Sequence, residues 1–162
     1  MPTRHLKFQF LPFIISLIIP LAIGAIGGLL TIESTKTWYV TLNKPSFNPP
    51  NYIFGPVWTT LYILMGISSY LVWRKRKISM GYSWAATIYI LQLVLNLMWS
   101  YLFFYEHKIG FALIEIVVLL LTIIINAFIF YRIDKVAGWL FLPYILWVSF
   151  ASYLTYSIFI LN

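Results

Sequence analysis

Few side chains in this sequence can do polar chemistry, and most of them lie inside long apolar runs. Gln92 and Asn96 stand four apart in one run, with Tyr89 one turn before and Trp99 one turn after. On a helix these four share a face. An amide without a partner in hydrocarbon is strongly disfavoured, so that face must turn inward. Two readings of the pair are compatible: hydrogen bonds between helices, and the few polar contacts inside an apolar ligand pocket. Trp58 and Tyr62 repeat the spacing of four in an earlier run, and Tyr144, Trp147 and Ala151 follow at three and four in a later one. With Trp99 these faces can form an aromatic box, and aromatic faces stack on flat conjugated molecules. The competing reading of Trp and Tyr is the belt at a membrane surface. Trp38, Tyr39, Trp73 and Trp139 fit the belt. Trp58, Trp99 and Trp147 fall deeper in their runs and are assigned to the pocket.

Other chemistry has little to draw on. The histidines are His5, near the start of the sequence, and His107, in a short connection, and there is no cysteine. No metal or haem-ligating set, no thiol chemistry and no bound cofactor are therefore expected. No serine sits in a nucleophile motif, so no catalytic residue is assigned. Glu115 is the only acid within a predicted helix. Near the start of its run it reads as a complement to the helix dipole, the alternative being a functional intramembrane carboxylate. Gly24 and Gly28, with Gly27 beside them, are spaced for close helix contact. Gly81, Ala85 and Ala86 fit either a dimer contact or packing within one bundle. Pro56 and Pro143 near the starts of their runs either bend a helix or sit harmlessly in its first turn.

The elements that position these groups are five apolar runs, about 8–30, 52–73, 82–105, 111–131 and 138–161. Each is long enough to span hydrocarbon as a helix. Composition agrees: the chain is 62% hydrophobic and 9% charged, against about 25% charged for a soluble domain. The prediction is a single all-α domain over 1–162, an integral membrane bundle of five transmembrane helices. The first run exceeds the core of a signal peptide and is read as a retained helix. The connection 31–51 carries Trp38, Lys44, Pro45, Pro49 and Pro50 and is read as a lid with a short helix near 35–42. A net charge of +7 could point to nucleic acid, but the basic residues lie between apolar runs, so the partner is the lipid bilayer. Arg4, Lys7, Arg74, Lys75, Arg76, Lys77, Arg132 and Lys135 fall on one side, and Lys36, Lys44 and Lys108 on the other. The positive-inside rule places the N-terminus in the cytoplasm and the C-terminus and lid outside.

The run Trp38, Tyr39, Leu42, Lys44, Pro45, Phe47, Pro49 and Pro50 resembles the signature loop of the TspO/MBR family. It continues through Phe54, Pro56, Val57, Trp58, Leu61 and Tyr62. Gln92, Asn96, Trp99, Ser100, Phe103 and Phe104 are similar to the third helix of that family, and Pro143, Tyr144, Trp147, Phe150 and Ala151 to the fifth. The resemblance implies a bacterial-type, cell-membrane protein of five helices, often a homodimer. It implies binding of porphyrins such as protoporphyrin IX and of other hydrophobic small molecules, including isoquinoline and benzodiazepine drugs. The pocket under the first loop would be lined by Trp58, Tyr62, Asn96, Trp99, Trp147 and Ala151. It also implies two alternatives: light-dependent porphyrin breakdown involving Trp58 and Trp147, or stress-linked regulation of membrane partners. Two positions depart from the family. Thr155 stands where many relatives have Asn. No basic residue follows Tyr156, so the sterol motif of animal members is incomplete.

Overall fold

The computed structural model describes residues 7–162, so Arg4 and His5 lie outside the described residues. Those residues form helices and connections without a strand: α1 Phe10–Lys36, α2 Trp38–Thr41, α3 Asn51–Arg74, α4 Tyr82–Ser100, α5 Ile109–Ile133, α6 Lys135–Trp139 and α7 Leu142–Leu161. A π-helical turn, Tyr101–Tyr105, prolongs α4. Five spans are long and apolar enough to cross a membrane: α1, α3, α4 with its π turn, α5, and α6 with α7. Around the bundle the order is α1, α3, α6 and α7, α5, α4, and back to α1. Leu29, Ile114 and Leu146 are among the large apolar side chains left on the outside. Such a surface is stable only against lipid.

The first helix runs six residues past its expected end at 30. Its last two turns look like a loop because they hold Thr31, Glu33, Ser34 and Thr35. The threonines are compatible with helix because their hydroxyls bond back to their own backbone. Thr31 donates to the Gly27 carbonyl at 2.7 Å, and Thr35 to that of Ile32 at 2.9 Å. The connection is thus 37–50 rather than 31–51, and its helix is Trp38–Thr41 rather than 35–42. The fifth run is broken after Trp139 and resumes at Leu142, with Pro143 in the first turn of α7. There proline loses no helical hydrogen bond, so it takes the harmless reading. Pro56 lies inside α3, and Pro20, not singled out from the sequence, inside α1.

Pro20 and Gly66 together set the closest crossing. Proline leaves the carbonyl four residues back, Ser16, without its helical donor. A Cβ on Gly66 of α3 would lie 2.8 Å from that oxygen and 2.9 Å from the Leu17 Cα. Only glycine lets the two backbones meet there. Of the expected contact glycines in α1, Gly24 lies against the Tyr62 ring and Gly27 against Ser100, but a Cβ on Gly28 would meet nothing. Ala85 is fully buried within the bundle, so it packs inside the chain and is not free for a dimer contact.

At the end opposite the lid, Asp134 caps α6 by accepting from the amides of Val136 at 2.9 Å and Ala137 at 3.2 Å. It also pairs with Lys75 of the α3–α4 connection at 2.9 Å. Burial pushes the Asp134 carboxyl up, but Lys75 and the two amides outweigh it and hold it below its ordinary value. A depressed carboxyl stabilises the fold above its unfolded titration range, and that contribution disappears as pH falls through the folded value. Asp134→Asn keeps a capping side chain but loses the charge that pairs with Lys75, and is therefore expected to lower stability by up to about 1 kcal/mol at neutral pH. The gap to wild type should shrink in thermal melts taken below pH of about 4.

Candidate functional site

The half of the bundle away from the lid is filled by Met65, Leu93, Phe130, Phe141 and their neighbours. The lid half is hollow, with a cavity of 470 Å³. Small-molecule sites usually hold about 300–1,000 Å³. The wall brings together Phe54, Trp58 and Tyr62 from α3, and Trp99 and Phe103 from α4 and its π turn. It is completed by Trp147, Ala151 and Thr155 from α7, and Gly24, Gly28 and Thr31 from α1. Tyr39 of α2 and Phe104 close the top.

The rings form a continuous lining. Trp58 stacks on Tyr62 at 5.6 Å and meets Tyr144 edge-on at 6.1 Å. Trp99 stacks on Phe103 at 5.3 Å, and Trp147 lies between Phe54 and Phe150 at 5.8 and 5.6 Å. The π turn lets consecutive residues, Phe103 and Phe104, both reach the wall. Its wide hydrogen bond runs from the Glu106 amide to the Tyr101 carbonyl at 2.9 Å. Such turns rotate the helix face locally and recur at functional sites.

Polarity on the wall is spent internally. Thr31, Thr59 and Thr155 each donate to a carbonyl of their own helix. The Tyr62 hydroxyl donates to Asn96 Oδ1 at 2.6 Å, and Asn96 Nδ2 donates to the Tyr144 hydroxyl at 2.9 Å. Among the described residues no charged side chain lines the cavity. The indole N–H groups of Trp99 and Trp147 are buried with no acceptor among the described residues. Flat aromatic surface is thus plentiful, and the polar groups on the wall are few, Asn51 and Ser100 among them.

Of the eight pocket residues expected from the sequence, Trp58, Tyr62, Trp99, Trp147 and Ala151 lie on the wall. Gln92, Asn96 and Tyr144 do not. They are buried behind it: Asn96 and Tyr144 are bonded as above, while Gln92 reaches Met65 Sδ from Nε2 at 3.8 Å and leaves its Oε1 without a partner among the described residues. For the amides the interhelical reading describes their placement. Of the lid residues, Trp38, Lys44, Pro45, Pro49 and Pro50 are all off the wall. Lys44 ties the lid together instead, donating to the Tyr39 and Leu42 carbonyls at 2.7 and 2.9 Å. Trp38 stacks on His107 at 4.2 Å.

Spacing could have found several residues that the sequence reading missed. Phe54 is one turn before Trp58, Phe103 one turn after Trp99, and Thr155 one turn after Ala151. Glu115 is a correction. It lies in the second turn of α5, 9% exposed, with both oxygens buried and unpartnered. It stands beyond the first turn and faces the bundle interior, so a dipole role in the first turn does not describe it. Among the described residues no three His, Cys, Asp or Glu come together as metal ligands.

Comparison with known proteins gives a consistent result. The model of the TspO/MBR family matches residues 16–161. The chain is 39% identical over 157 residues to the "Tryptophan-rich protein TspO" of Archaeoglobus fulgidus, covering 95% of this chain and 99% of that one. It is 35% identical over 125 residues to the human "Translocator protein", covering 75% and 72%. It is 33% identical over 141 residues to the "Tryptophan-rich sensory protein" of Cereibacter sphaeroides, covering 87% of each.

Proposed function

Because the chain belongs to the TspO/MBR family, we propose that it is a membrane receptor or carrier that holds a flat, hydrophobic tetrapyrrole such as protoporphyrin IX in the cavity under its lid. The observation that carries this reading is one hollow lined by three indoles, two phenols and three phenyl rings, with no charged side chain of the described residues on its wall. Burying a conjugated ring there gains both apolar desolvation and ring stacking. The bundle is an integral membrane protein. On the charge distribution above, its lid faces outward and Arg74, Lys75, Arg76 and Lys77 face the cytoplasm.

The uncharged wall also bears on orientation. A carboxylate inside it would be desolvated without a partner. The propionates of a porphyrin therefore belong at the mouth of the cavity, near Thr35 and Asn51, and the macrocycle inside. Titration of protoporphyrin IX into the purified protein is expected to quench tryptophan emission and saturate at about one ligand per chain, within the usual cavity-ligand regime. Its dimethyl ester, which lacks the charges, should bind at least as tightly. Linear, unsaturable uptake of both compounds would mean simple partition into the detergent micelle and would defeat the proposal.

A further inference from the structure

We propose that the ligand passes between bilayer and cavity sideways, through a slot between α1 and α3, while the lid stays shut. The inference rests on the reading of the cavity as a ligand site. Most of the wall is enclosed, but six of its residues are also exposed at the outer surface: Ala25, Gly28 and Ile32 on α1, and Asn51, Gly55 and Thr59 on α3. On each helix they recur every three or four positions, so each set is a single edge. The edges face one another along the opening. At the middle of each stands a glycine whose added Cβ would meet no atom within 4 Å. Space at the middle of both edges is what a slot requires.

The slot has a hinge. Toward the opposite end of the bundle the helices meet backbone to backbone at Gly66 against Ser16 and Leu17. Nearer the lid, beyond the Gly24 contact with the Tyr62 ring, added Cβ atoms at Gly28 and Gly55 would meet nothing. The outward neighbours of the α1 edge, Ile26 and Leu29, are 46% and 72% exposed. They are carried on a helix whose composition suits hydrocarbon, so the slot opens on lipid. Its edges are apolar below Asn51, which stands at the lid end, since the Thr59 hydroxyl is engaged by the Gly55 carbonyl at 2.9 Å. A molecule already dissolved among lipid chains can cross them without dehydrating a polar group.

The route through the lid is tied shut. Besides the Lys44 bonds, the Tyr39 hydroxyl donates to Asn48 at 2.8 Å. The far side of the lid is strapped to α7: the Asn43 amide donates to Asn162 Oδ1, and Asn162 Nδ2 donates to the Asn43 carbonyl, both at 2.9 Å. Passage there must break several of these bonds together, whereas the slot needs only a change in separation of two helix edges.

The absence of cysteine permits a test in the folded protein. Gly28→Cys and Gly55→Cys are each reconstituted into phosphatidylcholine vesicles and reacted with a bulky aromatic maleimide. Protoporphyrin IX association and dissociation are followed by tryptophan quenching, and each sample is compared with its own unreacted form. Capping is expected to slow association and dissociation alike by about tenfold, since a gate acts on both rates, whereas an adduct that merely filled the cavity would speed dissociation. Asn162→Ala, which loosens the strap, should leave both rates within about twofold. Capped rates that do not change would overturn the proposal, as would an Asn162→Ala protein in which both rates rise. Unsaturable uptake by the unmodified wild-type chain would instead sink the cavity reading, and the route with it.

Discussion

Trp147→Ala is expected to weaken protoporphyrin IX binding by about 10- to 100-fold, the loss of about 1.4 to 2.8 kcal/mol of stacking and burial. The indole contributes in two ways. It presents its face to the cavity, braced by Phe54 and Phe150. It is also the partition between the cavity and a shallow outer groove that runs between α3 and α7 past Pro56, Thr60, Pro143 and Leu146. Removing it joins the two spaces and lets lipid chains compete for the ligand's place. Trp147→Phe keeps the partition and most of the stacking, so it should lose no more than about threefold. Binding constants from quenching or porphyrin absorbance, measured on both variants in the same detergent, separate the outcomes. If Trp147→Ala binds like wild type, the indole is not part of the binding surface.

Asn96→Leu is expected to be the most destabilising single change in the polar layer, by about 2 kcal/mol. The substitution roughly keeps volume, so the loss reports hydrogen bonds rather than a void. Asn96 accepts from Tyr62 and donates to Tyr144, and it links the second, third and fifth spans at one point. Leucine leaves the Tyr62 proton without its acceptor and the Tyr144 oxygen without its donor. Tyr144 is 1% exposed and cannot recover a partner from water. Polar pairs in membrane bundles average a smaller contribution, about 0.6 kcal/mol, because the separated helices also find partners. Two groups orphaned together in a dry site justify the higher value here. Unfolding by graded denaturing detergent measures the loss, and a cycle with Tyr62→Phe isolates the pair. Stability within about 0.5 kcal/mol of wild type would show the layer to be dispensable.

Much of this arrangement is legible in the sequence for a simple reason. In lipid a span must satisfy its backbone within the chain, chiefly as helix, so run length alone marks α1, α3, α4, α5 and the α6–α7 pair, although not the break after Trp139. The inward faces are legible too, because Trp58 with Tyr62, and Trp147 with Ala151, keep helical spacing that points them the same way. Three features escape such reasoning. The π turn at Tyr101–Tyr105 adds a residue to one coil of the helix, and nothing in a string of aromatic residues marks where that happens; Phe104 therefore joins the wall unannounced. The extension of α1 to Lys36 depends on threonine hydroxyls turning back on their own backbone, a choice that composition does not record. The division between wall and layer behind it is set by depth. Tyr62 and Tyr144 look alike in sequence and both bond to Asn96, yet one lines the cavity and the other is sealed behind it. Glu115 follows the same logic, since its place near the start of a run does not tell that its carboxyl is buried in the bundle.

The central claim is that indoles from three helices enclose one flat guest, and a structure of the protein grown with protoporphyrin IX tests it most directly. The account expects macrocycle density between Trp58, Trp99 and Trp147, with the propionates toward Thr35 and Asn51. Density lying in the outer groove between α3 and α7, or on the lipid-facing surface with the cavity unfilled, would contradict it.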